Sequence, residues 1–305
     1  MRISTNTIFQ SGINKISDLQ NDQSRLQQQI STGKRILSPA DDPVASARAL
    51  EIQQALATNT QYANNRIIAQ NQLGLVDNTL GSVSDLILSV QSTMVAAGNG
   101  TYSNSERSYM ASELRGTLDQ LIGLANTKDG TGHYLFAGFK NTSPAFVKSA
   151  TGATYQGDNN QQLLQVSSSR QMAISDTGQN LFLANGTDVF KTLSDLANLL
   201  DTPVNTAADR TALQTGLATA DASMNQILDN VLNSRAVAGT KLKELDGIET
   251  AGQDSNLQLT QTLSGLQDLD YAQAVSDLNK QQTILSAAQQ SFVKTTGLSL
   301  FNFIQ

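Results

Sequence analysis

Residues 213–245 read LQTGLATADASMNQILDNVLNSRAVAGTKLKEL, and this stretch decides the fold. Its apolar residues recur at alternating steps of four and three, from Leu213 and Leu217 through Met224 to Val231. The same spacing runs through residues 205–266, with polar lapses in its middle. Such a heptad pattern predicts a long helix that packs along one seam.

An earlier tract shows the same spacing, from Leu73 and Leu80 through Ile87 to Met94, and its phase extends back to Ile52. Asp42 followed by Pro43 is typical of a helix start. The four prolines, at positions 39, 43, 144 and 203, leave both tracts free of the strongest helix breaker. Since each tract could reach roughly 80–90 Å at ~1.5 Å per residue, we expect an elongated rod of antiparallel heptad helices.

A third helix is predicted over residues 105–126, after the capping-box-like Ser103-Asn104-Ser105-Glu106. The pattern then changes between residues 132 and 186, where glycines punctuate short apolar runs such as Tyr134-Leu135-Phe136. We expect a small inserted β domain of hairpins there, with Gly157-Asp158-Asn159-Asn160 as a turn.

The two ends of the chain carry matching narrow seams. Ile16, Leu19, Leu26 and Ile30 form the first, interrupted by Gln23, and Tyr271, Leu278, Leu285 and Phe292 belong to the second, interrupted by Gln281. We expect both termini to be helical and to pair with each other. Because so few apolar residues stabilise each helix, our hypothesis is that both become fully ordered only when neighbouring subunits cover them.

The last residues add an apolar cluster that isolated proteins usually avoid. The predicted assembly interface comprises Ile16, Leu19, Leu26, Ile30, Tyr271, Leu278, Leu285, Phe292, Leu298, Leu300, Phe301 and Phe303.

Composition excludes several classes of function. The 305 residues have a formal net charge of −6, and the longest basic run is Lys34-Arg35, so nucleic acid is not expected as a partner. No stretch approaches the ~18–20 apolar residues of a membrane span, and residues 1–30 lack the apolar region of a cleaved signal peptide. The absence of cysteine permits any redox compartment.

No enzymatic site is predicted. Adjacent Asp41 and Asp42 fit a helix start better than an acid–base pair, and His133 has no second histidine or cysteine with which to bind a metal. Lys34 lacks the earlier glycine of a phosphate loop, since position 28 is Gln. We expect no catalytic, cofactor-binding or metal-binding residues.

Five stretches resemble the bacterial flagellar axial proteins, the group of flagellins and hook-associated proteins. They are RIST at 2–5, ISTGKRILSPADDP at 30–43, GTGHYLFAGF at 130–139, DYAQA at 270–274 and GLSLFNFI at 297–304. Positions 89–92, Ser-Val-Gln-Ser, depart from the arginine-containing stretch of many flagellin rods. This departure and the Leu-Ser-Leu-Phe ending favour the hook-associated members.

The resemblance implies a structural subunit at the hook–filament junction, extracellular and exported through the flagellar type III apparatus without cleavage of a signal. It also implies four partners: neighbouring copies of itself, the preceding hook-associated junction protein, flagellin, and a cytoplasmic export chaperone at the C-terminal helix. A flagellin filament subunit is the alternative within the group, and an intracellular helical signalling or scaffold module is the alternative outside it.

With the resemblance, the predicted division of the chain has three parts. Residues 1–40 and 267–305 form a terminal coiled-coil domain, 41–131 and 187–266 form a helical rod domain, and 132–186 form the β domain.

Overall fold

The computed structural model describes residues 5–301 of the chain, and within this range α-helix dominates. The helices are α1 (Thr5–Thr32), α2 (Pro43–Ala97), α3 (Asn104–Ala125), α4 (Gly178–Phe182), α5 (Val189–Asp201), α6 (Ala207–Gln267) and α7 (Tyr271–Phe301). The strands are β1 (Phe146–Ser149), β2 (Gly152–Tyr155), β3 (Leu163–Ser167) and β4 (Arg170–Ala173). The predicted mainly α fold with a small β insertion and helical termini is confirmed.

The chain divides into two compact units. The first contains Met1–Thr58 and Asp254–Gln305, and the second contains Asn59–Gln253.

The core of the second unit is built from the predicted heptad seams. Leu80 and Ile87 of α2, Leu114 of α3 and Met224 and Ile227 of α6 are all buried in one cluster. The seam of α6 fades after Leu245, since Ile248 is half-buried. Helix α3 begins one residue earlier than predicted, and the capping box between Ser103 and Glu106 is present.

The first hairpin packs through aromatic side chains onto this helical core. Strands β1 and β2 pair antiparallel from Phe146↔Tyr155 to Ser149↔Gly152. The Phe146 ring lies 4.7 Å from that of Phe190 in α5 and 5.5 Å from that of Phe182 in α4, between ring centroids. Gly152 has φ +125, and a Cβ there would lie 2.6 Å from the Phe190 backbone. The hairpin therefore needs glycine at this point.

The second hairpin covers a separate small core. Strands β3 and β4 pair antiparallel, with a register shift between Gln165 and Ser167 that leaves Val166 without a strand partner. Val166 and Met172 of the hairpin are buried with Leu73 of α2 and Leu245 of α6. The hairpin thus packs on α2 and α6 in the way that α3 packs on them elsewhere in the unit.

Some details differ from the sequence prediction. Tyr134-Leu135-Phe136 forms turns with one isolated bridge between Lys128 and Tyr134, because Phe136 is buried among the aromatic side chains. Gly157–Asn160 joins the two hairpins and does not close either of them. Helix α5, for which the sequence predicted no boundary with α6, ends shortly before Pro203.

One helix passes a length-and-composition test for a membrane span. Helix α2 contains an 18-residue window with mean hydropathy 1.3. Its seam residues, such as Leu80 and Val83, are buried against other helices. A core helix passes the same test, so the window is weak evidence for a membrane segment.

Candidate assembly interface

Helices α1 and α7 lie antiparallel and touch at both ends through a glycine and an aromatic side chain. A Cβ on Gly12 would lie 2.5 Å from Cδ2 of Phe292, so the ring rests directly on the glycine. A Cβ on Gly33, which has φ +69, would lie 2.8 Å from the Tyr271 hydroxyl. The Phe292 ring also lies 5.3 Å from that of Phe9, between centroids.

These two end contacts define the register of the pair. Gly12 and Gly33 are three heptads apart, as are Tyr271 and Phe292, and both pairs of numbers add to 304. The remaining seam positions follow the same rule, so each α1 residue has one α7 residue at its level. Extended inward from the two observed end contacts, this rule gives seven layers: Gly12·Phe292, Ile16·Ala288, Leu19·Leu285, Gln23·Gln281, Leu26·Leu278, Ile30·Ala274 and Gly33·Tyr271.

Exposure along α1 supports these layers. Leu19 is 8% exposed, and the other layer positions of α1 are half-buried, whereas the positions between them face solvent. Gln29 is the exception, because its side-chain amide is buried and donates to the Arg35 carbonyl at 2.6 Å. That bond holds the chain as it leaves α1.

The structure brings together eight of the predicted interface residues within one chain. They are Ile16, Leu19, Leu26 and Ile30 of α1 and Tyr271, Leu278, Leu285 and Phe292 of α7. Leu298, Leu300 and Phe301 lie in the last turns of α7, where the side chains are not described, and Phe303 lies outside the described residues. Contact of any of these residues with another molecule stays a prediction.

Other apolar side chains on this helix pair face outward. Phe9 and Ile13 of α1 are exposed, as are Val275, Ile284 and Val293 of α7, with Val293 at 67%. Sequence reasoning missed Phe9 because the predicted seam began at Ile16, although Phe9 continues its spacing. It missed the other four because each stands next to a seam position and not on it.

The connections next to this pair are held by hydrogen bonds. The Arg35 amide donates to the Gln267 carbonyl at 2.7 Å, and the Leu269 amide donates to the Gly33 carbonyl at 3.0 Å. The segment that connects α1 to α2 therefore pairs with the segment that connects α6 to α7. Lys34 belongs to this pairing through a bridge to Asp268.

Asp42 caps the start of α2, as predicted, whereas Asp41 holds the turn that precedes this helix. The Asp42 carboxylate accepts the Ala45 amide at 3.0 Å at the start of α2. The Asp41 carboxylate accepts the amides of Leu37 and Ser38 at 3.0 and 2.9 Å. The bonds from the backbone N–H groups of Ser38 and then Leu37 lower the pKa of Asp41 below its usual value.

A buried arginine joins the second hairpin to the long helices. Arg66 of α2 is 3% exposed; its Nε donates to Glu249 Oε2 of α6 at 2.6 Å, and its Nη1 donates to the Val166 carbonyl at 2.9 Å. The bond from Arg66 is the main cause that lowers the pKa of Glu249. Next to it, Asn65 donates to the Gln165 carbonyl at 2.7 Å.

Two residues of α6 complete this attachment. Lys241 Nζ donates to the Ala173 carbonyl at 2.9 Å, and its burial lowers its pKa. Glu244 accepts two hydrogen bonds from Arg170, at 2.6 and 3.0 Å. The polar lapse at Lys241 in the α6 seam is therefore where the hairpin carbonyls lie.

His133 lies in a turn. The Asp129 carboxylate accepts the amides of Thr131 and His133 at 2.8 and 2.9 Å. The His133 ring is bonded to the Thr131 hydroxyl at 2.7 Å. Across residues 5–301, no three His, Cys, Asp or Glu side chains are placed to hold a metal ion.

Comparison with known proteins agrees with this architecture. The family of the bacterial flagellin N-terminal helical region matches residues 3–141. Flagellar hook-associated protein 3 of Escherichia coli is 36% identical over 99% of both chains.

Two solved structures share the fold. A putative flagellar hook-associated protein from Vibrio parahaemolyticus, 23% identical, has a TM-score of 0.69 and covers 75% of this chain and 100% of its own. The flagellar junction protein from Legionella pneumophila, 20% identical, has a TM-score of 0.63 and covers 72% of this chain and 100% of its own.

Proposed function

Because the chain belongs to the family of flagellar hook-associated protein 3, within the flagellin-like axial proteins, we propose that it is a structural subunit at the hook–filament junction. The relationship spans the whole chain, and this single observation carries the proposal. The work of such a subunit is mechanical: it connects a curved hook to a stiffer filament through packed helices.

The proposed contact with neighbouring copies lies on the paired terminal helices. Phe9, Ile13 and Val293 are large apolar side chains that face outward there, and exposed apolar surface of this kind is typical of interfaces. Leu298 and Phe301 extend the apolar character toward the end of the chain. We assign self-association to these residues together with the seam residues predicted from the sequence.

Three further partners belong to the proposal. The preceding hook-associated junction protein would lie on the hook side and flagellin on the filament side. A cytoplasmic export chaperone would cover the C-terminal helix before secretion, because its apolar residues would otherwise meet solvent. The proposed location is the extracellular flagellum, reached through the flagellar type III apparatus without cleavage of a signal peptide.

The proposed division of labour follows the predicted domains. Residues 1–40 and 267–305 would form the assembling part, 41–131 and 187–266 the rod, and 132–186 the outer β domain. The second hairpin, β3–β4, is fixed to the long helices by side-chain bonds from Arg66 and Lys241. This attachment supports a rigid structural role for the β domain.

Electron microscopy of purified protein added to hooks that carry the preceding junction protein tests the function. A discrete cap of new density on each hook is the expected result. Long filaments formed by this protein alone would favour the flagellin alternative, and no binding to hooks would contradict the proposal.

A pair of surface substitutions locates the contact. Val293→Ser removes an exposed apolar side chain from α7, and Val95→Ser removes one of similar exposure from α2. We expect Val293→Ser to reduce the fraction of capped hooks and Val95→Ser to leave it unchanged. Deletion of residues 271–305 should abolish capping and leave a soluble protein, whereas a scaffold module would keep folded ends independent of any partner.

We also propose that the terminal helices are only loosely ordered in the free subunit. The α1–α7 seam offers two Leu·Leu layers and one Gln·Gln layer, which is little apolar burial for helices of this length. Trypsin should cut the free protein first near Lys15, Arg25 and Lys280. Ends that resist as strongly as residues 44–130 would contradict this proposal.

A further inference from the structure

We propose that side-chain size along the α1–α7 seam makes α1 pair with α7 and not with a second α1, and that Gln23 and Gln281 fix one register. This inference rests on the proposed function, because like helices of neighbouring copies compete only when many copies assemble. It assigns the choice of partner to the two outer layers at each end of the seam, and the choice of register to two amides.

The end layers determine which helix α1 pairs with. Gly12 leaves no room for even a Cβ beneath Phe292, and a Cβ on Gly33 would lie 2.8 Å from the hydroxyl of Tyr271, a side chain that is 52% exposed. In an antiparallel pair of two α1 helices, Gly12 would face Gly33 and leave an empty layer. Two α7 helices would instead set Phe292 against Tyr271. Both alternatives pack poorly, since cores tolerate neither voids nor excess volume.

The inner layers repeat this complementarity. Ile16 faces Ala288 and Ile30 faces Ala274, so a large residue meets a small one on each side of the centre. A pair of α1 helices would bring Ile16 and Ile30 together. The seam therefore disfavours like pairing at four of its seven layers and favours the pairing seen within the chain.

The central layer determines the register between α1 and α7. Gln23 and Gln281 are half-buried, and the register sets them at the same level, where each side-chain amide has both donors and an acceptor. A slide of one heptad would place Gln23 opposite Ala288 and Gln281 opposite Ile30. Each amide would then face an aliphatic side chain, which is costly for a buried polar group. One polar layer in an apolar seam fixes register in this way.

Pulsed electron spin resonance can read the register, because the chain has no cysteine of its own. Ser11→Cys and Ser276→Cys place labels at two exposed positions. In the proposed register their axial offset is about 25 Å, and a slide of one heptad changes it by about 10 Å. The full chain is measured free in solution and on hooks, diluted with unlabelled chain.

The wild-type seam should give one distance, whereas Gln23→Leu with Gln281→Leu should give two or more while the helices stay paired. Gly12→Ala should reduce the population at the native distance roughly tenfold. Adding Phe292→Leu to Gly12→Ala should restore most of it. Gly265→Ala, at an exposed helical glycine with open space around it, is the matched control and should change nothing.

Labels at Ser11 alone test the choice of partner. A free wild-type chain with this single label should give no distance between chains. Gly12→Leu, which would set a leucine against Gly33 in both end layers of an α1 pair, should give one near 35 Å if two α1 helices now pair.

Three results would each overturn the proposal. The first is one unchanged distance in the variant with Gln23→Leu and Gln281→Leu, and the second is a population at the native distance in Gly12→Ala that equals that of wild type. The third is a wild-type sample that gives no distance peak either free in solution or on hooks. Failure of the wild-type chain to cap hooks would instead contradict the proposed function. The register would still be measured in the free chain, from the fraction of molecules in which the terminal helices are paired.

Discussion

Arg66 donates to the Glu249 carboxylate at 2.6 Å and, through a second nitrogen, to the Val166 carbonyl at 2.9 Å. One guanidinium thus joins α2, α6 and the irregular point of β3. The planar fork of arginine suits such a site, since its donors point in fixed directions. The irregularity in β3 leaves the Val166 carbonyl free of the strand ladder and available to it.

Replacement of Arg66 by Met should destabilise the second unit by about 2 kcal/mol, a value below that of a fully buried pair because Glu249 keeps some solvent contact. The Val166 carbonyl would also lose its partner. Urea unfolding measures the loss, and hydrogen exchange should show faster opening of residues 163–173. Arg115→Met, which removes an exposed pair with Asp201, should cost less than about 0.5 kcal/mol. Equal effects of the two changes would contradict the role of Arg66.

Gly252→Ala should be destabilising although alanine is the better helix former. Its new Cβ would lie 2.7 Å from Nη2 of Arg66, so the guanidinium would have to leave its partners. Gly247→Ala, where nothing lies within 4 Å, should instead stabilise by up to about 1 kcal/mol.

The effects of Arg66→Met and Gly252→Ala on the free energy of unfolding should not be additive. In an Arg66→Met background the clash is gone, so we expect Gly252→Ala to become neutral or stabilising. A double-mutant cycle from thermal unfolding measures this coupling. Strict additivity would show that Gly252 is required for some other reason.

Asn126→Ala should loosen the first hairpin. The Asn126 side chain donates to the Phe146 carbonyl at 2.7 Å and accepts the Phe146 amide at 2.9 Å. Because Phe146 is buried, both backbone groups would be left without partners, at a cost of about 2 kcal/mol. Urea unfolding followed by far-ultraviolet dichroism measures it. Asn198→Ala, at an exposed position of α5, should change stability by less than about 0.5 kcal/mol.

Asp41→Asn should change how stability depends on pH. The pKa of Asp41 is lowered by the amides of Ser38 and Leu37, so its stabilising contribution is present above the unfolded value of 3.8 and is lost as pH falls through the lower folded value. The variant should have a lower thermal midpoint than wild type at pH 7, and the difference should shrink below about pH 4. Parallel curves over this range would contradict the assignment.

The long helices and the terminal seams were predictable because heptad spacing is a strong, regular signal. Leu80, Leu114 and Ile227 are buried as their phase requires. The pairing of the termini followed from two matching stripes. Its register could also have been found from the sequence, since Gln23 and Gln281 are each the centre of their stripe.

The details of the β insertion could not be predicted in the same way. Tyr134 and Phe136 are residue types that are common in strands. The burial of Phe136 among aromatic rings, and not alternation along a sheet, decides the backbone conformation of this stretch. Arg66 sits in a heptad tract where a charged residue predicts an exposed face. Only the distant Glu249 and Val166 explain why it is buried, and no local pattern connects the three.

The two connections that pair through Arg35 with Gln267 and Leu269 with Gly33 have a mechanical consequence. When the terminal helices are pulled, the force passes to the rest of the chain through two adjacent segments that are hydrogen-bonded to each other. Neither segment can extend without straining the hydrogen bonds to the other. The two segments would therefore share the force and come apart together.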